Sequence, residues 1–225
     1  MDFASKHKEV ILKRKQRERE RRHQEILDAA KRVFLTKGFE RATMDEIALE
    51  AAVSKPTIYQ HFKTKDDLYV ALLLPCAKEM ESRLSRIEEK LKEGKYASGG
   101  DVIWDIGKSF LAVFLKNPEM FRVFIVANQQ MHLEKSINET VLAEYMSGNT
   151  SHAIGMRIAE LSMEQGLMKK VETSHFVDTL WGTLLGVLQL AIVRSKDGQS
   201  FDDLEETLQF AASVIDKRMF KECDS

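Results

Sequence analysis

Apolar residues recur along this chain with the period of an α-helix, and no run of them alternates as a half-buried strand requires. From about Ser5 to Lys37 there is neither Gly nor Pro, and Ile26, Ala30, Val33 and Phe34 fall at i, i+4, i+7 and i+8 on one face. The spacing predicts a long first helix that is apolar only in its second half. Gly38 can take the left-handed conformation that closes a helix, and Phe39 can fold back onto the last turn.

Shorter helices follow. Thr43 and Glu46 have capping-box spacing, each able to satisfy a backbone N–H that a helix start leaves unpaired, so a second helix is predicted from there to about Ala52. Ser54 is a further N-cap, with Pro56 in the first turn, where a missing N–H costs nothing, and with Ile58 and Phe62 on the inner face. Thr64 caps a fourth helix whose Asp66 and Asp67 suit the positive end of the dipole and whose pattern continues to about Glu93. Pro75 is expected to kink it without ending it, because apolar spacing resumes at Met80, Leu84 and Ile87. Beyond 94–100, helical patterns cover about 101–116, 118–132, 135–168, 175–195 and 202–220. The expected fold class is all-α, about nine helices in two domains: residues 1–65, a basic arm with a three-helix head, and residues 66–225, a larger helical bundle.

Charge sharpens this division. The net charge of -1 conceals sixteen Lys/Arg against ten Asp/Glu in residues 1–65, and eighteen against twenty-five in the remainder. A basic head on an acidic body suits phosphate binding by the head, since cationic side chains displace condensed counterions; a solvated charged face is the plain alternative. The longest charge-free stretch near the C-terminus, Thr179 to Val193, is fifteen residues, short of the roughly 20 a spanning helix needs, so no membrane partner is expected. The first twenty-two residues carry no apolar secretory core, which predicts a cytoplasmic protein. Cys76 and Cys223 form no C-x-x-C pair and no zinc-ligand grouping, so they read as reduced thiols and no cofactor or metal is implied.

Two short helices across a tight turn, residues 43–52 and 54–62, have the size of a helix-turn-helix. Ile47, Ala48, Ala51, Val53, Ile58 and Phe62 can face inward, the small Ala48 allowing a close crossing. Lys55, Thr57, Tyr59, Gln60 and His61 remain on the outer face, free of acids and rich in hydrogen-bonding groups, as entry into a major groove about 12 Å wide requires.

At residues 24–72 the chain resembles the tetracycline-repressor (TetR) family. The match runs in unbroken register through Ala29-Ala30, Phe34, Gly38-Phe39, Thr43, Ile47-Ala48, Ala51, Val53-Ser54, Thr57-Ile58-Tyr59, His61-Phe62, Lys65 and Leu68. Two residues depart from the pattern: Ala52 stands where a turn glycine is usual, and Pro56 where glycine or alanine is common. Ala52 is strained if the turn demands a positive φ. The resemblance implies a transcriptional regulator that is not an enzyme. It further implies that Thr43, Tyr59 and Lys65 hold phosphates of double-stranded operator DNA while Lys55, Thr57, Gln60 and His61 approach base edges. The full DNA-facing set adds Ser54, Pro56 and Lys63. The plain alternative for these polar residues, and for His61 above all, is the solvated side of a small helical domain. Ahead of the matched segment, Lys13 to Arg22 carry seven bases and two acids, which is either an extra phosphate-binding surface or a solvated extension.

In the body, bulky apolar residues are broken by Gly155, Gly182 and Gly186, which makes a cavity between helices plausible beside the ordinary reading as core. The resemblance implies a small-molecule effector there. The aromatic lining expected, Trp104, Phe110, Phe114, Phe124, Tyr145, His152, Met156 and Trp181, suits a hydrophobic ligand. Thr183, Gly186 and Leu190 on one late helix, with Leu204, Leu208, Ala211 and Ile215 on the last, are expected to form a homodimer interface. The whole then reads as a ligand-responsive repressor on a palindromic operator. The alternative is a DNA-binding regulator or interaction module with no effector. An enzyme is disfavoured because no phosphate-binding Gly loop, catalytic Ser/His/Asp order or H-E-x-x-H motif is present.

Overall fold

The computed structural model describes residues 3–121, 151–195, 201 and 203–219, and every regular element among them is a helix. These are α1 (Phe3–Lys37), α2 (Met44–Glu50), α3 (Lys55–His61), α4 (Lys65–Lys92), α5 (Gly99–Lys116), α6 (Ser151–Glu164), α7 (Thr173–Ser195) and α8 (Leu204–Met219). The protein is all-α, with a helix-turn-helix near the N-terminus and a helical body behind it. The described residues fall into two compact units that divide after Leu73, inside α4, because the first turns of α4 carry the buried Leu68 and Tyr69 of the first core.

The first unit is built on the apolar half of α1. Ile26, Ala29, Ala30, Val33 and Phe34 are buried with Phe39, Ile47, Ala48, Ile58 and Phe62, while Ala51 and Val53 are half-buried. Aromatic contacts close the core: Phe34 lies 5.4 Å from Phe39, and Phe39 meets Tyr69 edge-on at 5.3 Å. Every helix start in this unit after α1 is capped by its own side chains. Thr43 and Glu46 exchange capping bonds at 3.2 and 3.1 Å, and Ser54 accepts from the Thr57 N–H at 3.3 Å. Thr64 accepts from the Asp67 N–H at 3.0 Å, while the Asp67 carboxylate takes the N–H groups of Lys63 and Thr64.

In the second unit, α5 is the hub. Val102, Ile103, Ile106, Phe110, Val113 and Phe114 are buried along it, against Val177, Leu180, Leu184 and Leu188 of α7 and Leu204 and Leu208 of α8. Helix α4 continues unbroken through Pro75 and buries Met80, Leu84, Ile87 and Leu91. Glu88, nearly enclosed on α4, accepts from Arg157 of α6 at 3.2 and 3.1 Å and pairs with Lys92 at 2.7 Å. Helix α7 is long and apolar enough to cross a membrane by length and composition, which the count of uncharged residues missed; one face of it is core here.

One element differs from expectation within the described residues. The helix expected to reach Met168 ends at Glu164, because Gly166 at φ +71° turns the chain while Leu167 N–H and Gly166 N–H bond back to Ser162 and Met163. Residues 122–150, covering most of the helix expected at 118–132 and nearly half of that expected at 135–168, lie outside the described set, as does Cys223.

Candidate nucleic-acid interface

The turn between α2 and α3 sets the angle at which α3 leaves the head. Val53 N–H bonds to Ala48 C=O at 2.9 Å and Ala52 N–H to Leu49 C=O at 3.1 Å, the two bonds of a Schellman closure. Its left-handed position is occupied by Ala52, at φ +51°, the single positive φ at a non-glycine residue among the described residues. The strain expected from an alanine at this position is therefore present.

On α3 the buried Ile58 anchors one side, leaving Lys55, Pro56, Tyr59 and Gln60 exposed and Thr57 half-buried. Ser54 and Thr57 share a hydrogen bond at 2.8 Å between their hydroxyls, which fixes both at the start of the helix. The Thr43 hydroxyl accepts from Glu46 N–H and keeps its own proton for an outside acceptor. No carboxylate lies on α3 itself, but Asp45 of α2 sits 2.9 Å from the Lys55 ammonium and raises its pKa, chiefly through that hydrogen bond. A phosphate or a base edge must take Lys55 from this exposed partner.

The other expected contacts are placed differently. Lys63 donates to the Tyr59 C=O at 2.9 Å, which leaves it at the edge of the same surface. Lys65, expected at a phosphate, donates to the carbonyls of Phe39 and Glu40 at 2.7 and 3.1 Å and lies 4.4 Å over the Phe39 ring. In this state it braces the loop after α1, because its stem lies against the core and those carbonyls have no helical partner. His61 is half-buried and faces α1: its ring is 5.8 Å from His23, which stacks on Phe62 at 4.5 Å. Burial lowers the pKa of His61, helped by His23, Arg19 and Arg22, so a neutral imidazole is favoured at neutral pH.

The second unit holds a narrow apolar cavity between α5, α6 and α7, with about 10 Å³ of free volume, the room of a single water molecule. Val102, Ile103 and Ile106 form one wall, Ile158, Ala159 and Ser162 another, and Phe176, Val177, Leu180 and Trp181 the third. Of the expected lining only Trp181 is at this cavity. Phe110 stands behind it, edge-on at 5.1 Å; Phe114 is spent on Phe121 and Phe201; Trp104 lies beside Lys108; Met156 is half-buried off the wall. His152 is exposed and paired with Asp178 at 3.0 Å. Phe124 and Tyr145 lie outside the described residues. The large aromatic side chains fill space elsewhere, whereas this cavity is bounded mostly by aliphatic side chains, with Gly99 and Gly155 in its wall. A Cβ on Gly155 would meet the Trp181 ring at 2.8 Å, so that indole rests directly on the α6 backbone.

On α7 and α8, Leu190, Val193, Phe210 and Val214 are exposed, with Thr183, Gly186, Ala211 and Ile215 half-buried. Leu204 and Leu208, expected to face a second copy, are buried in this unit's own core, because their spacing turns them toward α5. Phe210, 70 % exposed and not anticipated, takes their place on the outer face.

Comparison with known proteins agrees with both units. Residues 26–72 match the family described as bacterial regulatory proteins, tetR family. The HTH-type transcriptional activator FasR of Mycolicibacterium smegmatis is 40 % identical over 74 residues, 33 % of this chain and 32 % of that protein. A fatty acid metabolism regulator protein of Bacillus subtilis is 33 % identical over 72 residues, 32 % of this chain and 36 % of the relative. The match thus spans about a third of the length of these relatives. Among solved structures, FadR of Bacillus subtilis in complex with stearoyl-CoA superposes with a TM-score of 0.61 at 21 % identity, covering 86 % of this chain and 97 % of that one. The TetR-family regulator PfmR of Thermus thermophilus gives 0.62 at 17 % identity, covering 85 % and 97 %. The head, through residues 26–72, is thus similar in sequence to the tetR family of bacterial regulatory proteins, and the helical body agrees with these structures in fold.

Proposed function

We propose that this regulator binds a palindromic operator as a dimer, represses by occluding it, and is released by a hydrophobic small molecule. The observation that carries the DNA reading is the acid-free outer face of α3, held by capping bonds at the start of α2 and of α3 and presented beside the hydroxyl of Thr43. In this reading Lys55, Thr57 and Gln60 meet base edges, and Thr43, Ser54, Tyr59 and Lys63 fix the register on phosphates. Pro56 presets the first turn of α3, His61 closes the edge of the surface, and Lys65 joins the phosphates by leaving its loop carbonyls. The head of residues 1–65 then acts as the DNA-binding domain and residues 66–225 as the regulatory and dimerising one, in the cytoplasm.

The largely apolar lining of the cavity supports the effector class: its polar side-chain groups are the Ser162 hydroxyl, which already donates to Ile158 C=O at 2.7 Å, and the indole N–H of Trp181. An acyl chain fits this lining better than a sugar or an ion. That the B. subtilis FadR structure holds stearoyl-CoA points the same way. With free volume for only one water, entry requires Trp181 to leave Gly155. The open surface along Gly182 and Gly186, where an added Cβ would meet nothing within 4 Å, supports close approach of a second copy. Half-sites then lie about one helical turn, ~34 Å, or somewhat more apart.

Selection of duplexes from a random pool by the full chain tests the central claim. A two-fold-symmetric consensus is expected, with Thr57→Ala and Gln60→Ala each relaxing preference at one base pair per half-site, about 1–3 kcal/mol of discrimination. Recovery of no duplex above background would refute it. A reporter behind the selected site tests repression: loss of the regulator should raise expression, and a fall would assign activation.

A further inference from the structure

Ahead of the family match, α1 runs outward from the head for about six turns, and residues 6–22 carry nine Lys/Arg against three Glu. These cations are not evenly placed. Lys8, Lys15 and Arg22 are seven residues apart, so they differ by only about 20° around the helix axis, and Arg19 is one turn from both Lys15 and Arg22. Arg14, Arg17 and Arg21 project from the far side. Of the three acids of the arm, Glu9 pairs with Lys13 at 2.6 Å and Glu20 accepts from Gln16 at 3.1 Å, both away from the stripe, and Glu18 lies at its edge, one turn from Lys15 and from Arg22; Lys8, Lys15 and Arg19 make no ion pair among the described residues.

The direction of the stripe is fixed at its inner end. Arg19 and Arg22 lie close enough to His61, at the last turn of α3, to add their field to it, and His23 bridges to Phe62 by stacking. The inner end of the stripe therefore adjoins the last turn of α3. An apolar partner fits poorly, because the exposed Val10, Ile11 and Leu12 are consecutive and point in three directions about 100° apart, giving no stripe for a lipid surface or a second helix.

We propose that Lys8, Lys15 and Arg19 track the phosphate backbone of duplex DNA flanking the bases that α3 faces, extending the protein–DNA contact outward by about 20 Å along α1. The proposal rests on the DNA reading of α3 and adds a second, sequence-independent surface to it. Each phosphate neutralised releases counterions and steepens the log K against log salt slope by about 0.9.

The test uses the full chain and a duplex of about 40 bp selected by it, titrated between about 50 and 200 mM salt. The triple variant Lys8→Gln, Lys15→Gln, Arg19→Gln is expected to bind more weakly, with a slope shallower by about two to three. Arg14→Gln, Arg17→Gln, Arg21→Gln removes the same charge from the far side and should change the slope by less than about one. Trimming the duplex to the half-sites should take the same increment from the wild type and nothing further from the stripe variant. Equal loss in the two triple variants, or none in the stripe variant, overturns the arm proposal and leaves α3 untouched. Failure of the α3 reading is seen separately, as a Thr57→Ala, Gln60→Ala chain that distinguishes the selected duplex from a scrambled one as well as the wild type does.

Discussion

Replacing Ala52 by Gly should stabilise the head, because the turn between α2 and α3 forces a left-handed backbone on a residue with a Cβ. At φ +51° the Cβ crowds the following carbonyl, a conformation that costs an L-residue roughly 1–2 kcal/mol. Glycine is free of that term but loses more entropy on ordering, about 0.5–1 kcal/mol. The Ala52 methyl is exposed, so its removal sacrifices no core contact. The net gain is about 0.5–1 kcal/mol, which in a unit of this size raises the melting temperature by about 2–8 °C. The two other Schellman closures supply an internal control. At Gly94 (φ +66°) and Gly166 (φ +71°) the same pair of bonds forms: Gly94 N–H to Leu91 C=O with Lys95 N–H to Lys90 C=O, and Gly166 N–H to Met163 C=O with Leu167 N–H to Ser162 C=O. Gly94→Ala and Gly166→Ala should therefore each destabilise the second unit by about the amount that Ala52→Gly gains in the first. Calorimetry of the full chain, resolving the transitions, provides the readout, with Ala52→Val expected to lose stability because a branched Cβ is worse still in this region. An Ala52→Gly variant no more stable than the wild type, beside a tolerated Ala52→Val, would show that the turn does not hold this conformation in solution.

Other expectations follow from single contacts. Gly155→Ala should displace the Trp181 indole, costing about 1–3 kcal/mol in thermal unfolding, and pairing it with Trp181→Phe should recover part of the loss; additive effects would deny the contact. Arg157→Ala strips the main partner of the enclosed Glu88 and should cost about 1–2 kcal/mol, Lys92 remaining. Arg157 holds the Glu88 pKa below its ordinary 4.5, so its stabilisation is full above that pH and fades as pH falls through the lowered folded value; in the variant acid unfolding should begin at higher pH, and unchanged acid limbs would dismiss the pair. Phe210→Glu should convert a dimer to monomer in sedimentation at micromolar concentration while circular dichroism is unchanged, and a dimer that persists would move the interface elsewhere.

The head was legible in the sequence because its determinants are local. A cap lies three residues from the group it satisfies, so Thr43 with Glu46 and Ser54 before Pro56 define helix starts without reference to the rest of the chain. Ala52 was readable as a conflict for the same reason: the turn needs a left-handed residue and the sequence supplies one that resists it. Lys65 and His61 were less legible because their partners are distant. Whether a lysine reaches for a phosphate or braces a loop depends on carbonyls twenty-five and twenty-six residues away, and no periodicity encodes that.

In the body the same limit governs which face of a helix does what. The periodicity of α8 gave the stripe of Leu204 and Leu208 but not its partner, and a stripe that faces α5 looks in sequence like one that faces a second copy. The exposed positions are those left over, and Phe210 becomes visible as an anomaly only once the core-facing side is known. A cavity is harder still, since it consists of what side chains fail to fill. Aromatic residues point in sequence to Phe110 and Phe114, which pack against other rings, while the cavity lies among aliphatic side chains with Gly99 and Gly155 in its wall. Trp181 belongs to both descriptions, being a large ring seated on a glycine. That places it where the wall of the cavity and the α6 backbone meet, so the size of the cavity and the fit of this ring on Gly155 are set by one contact.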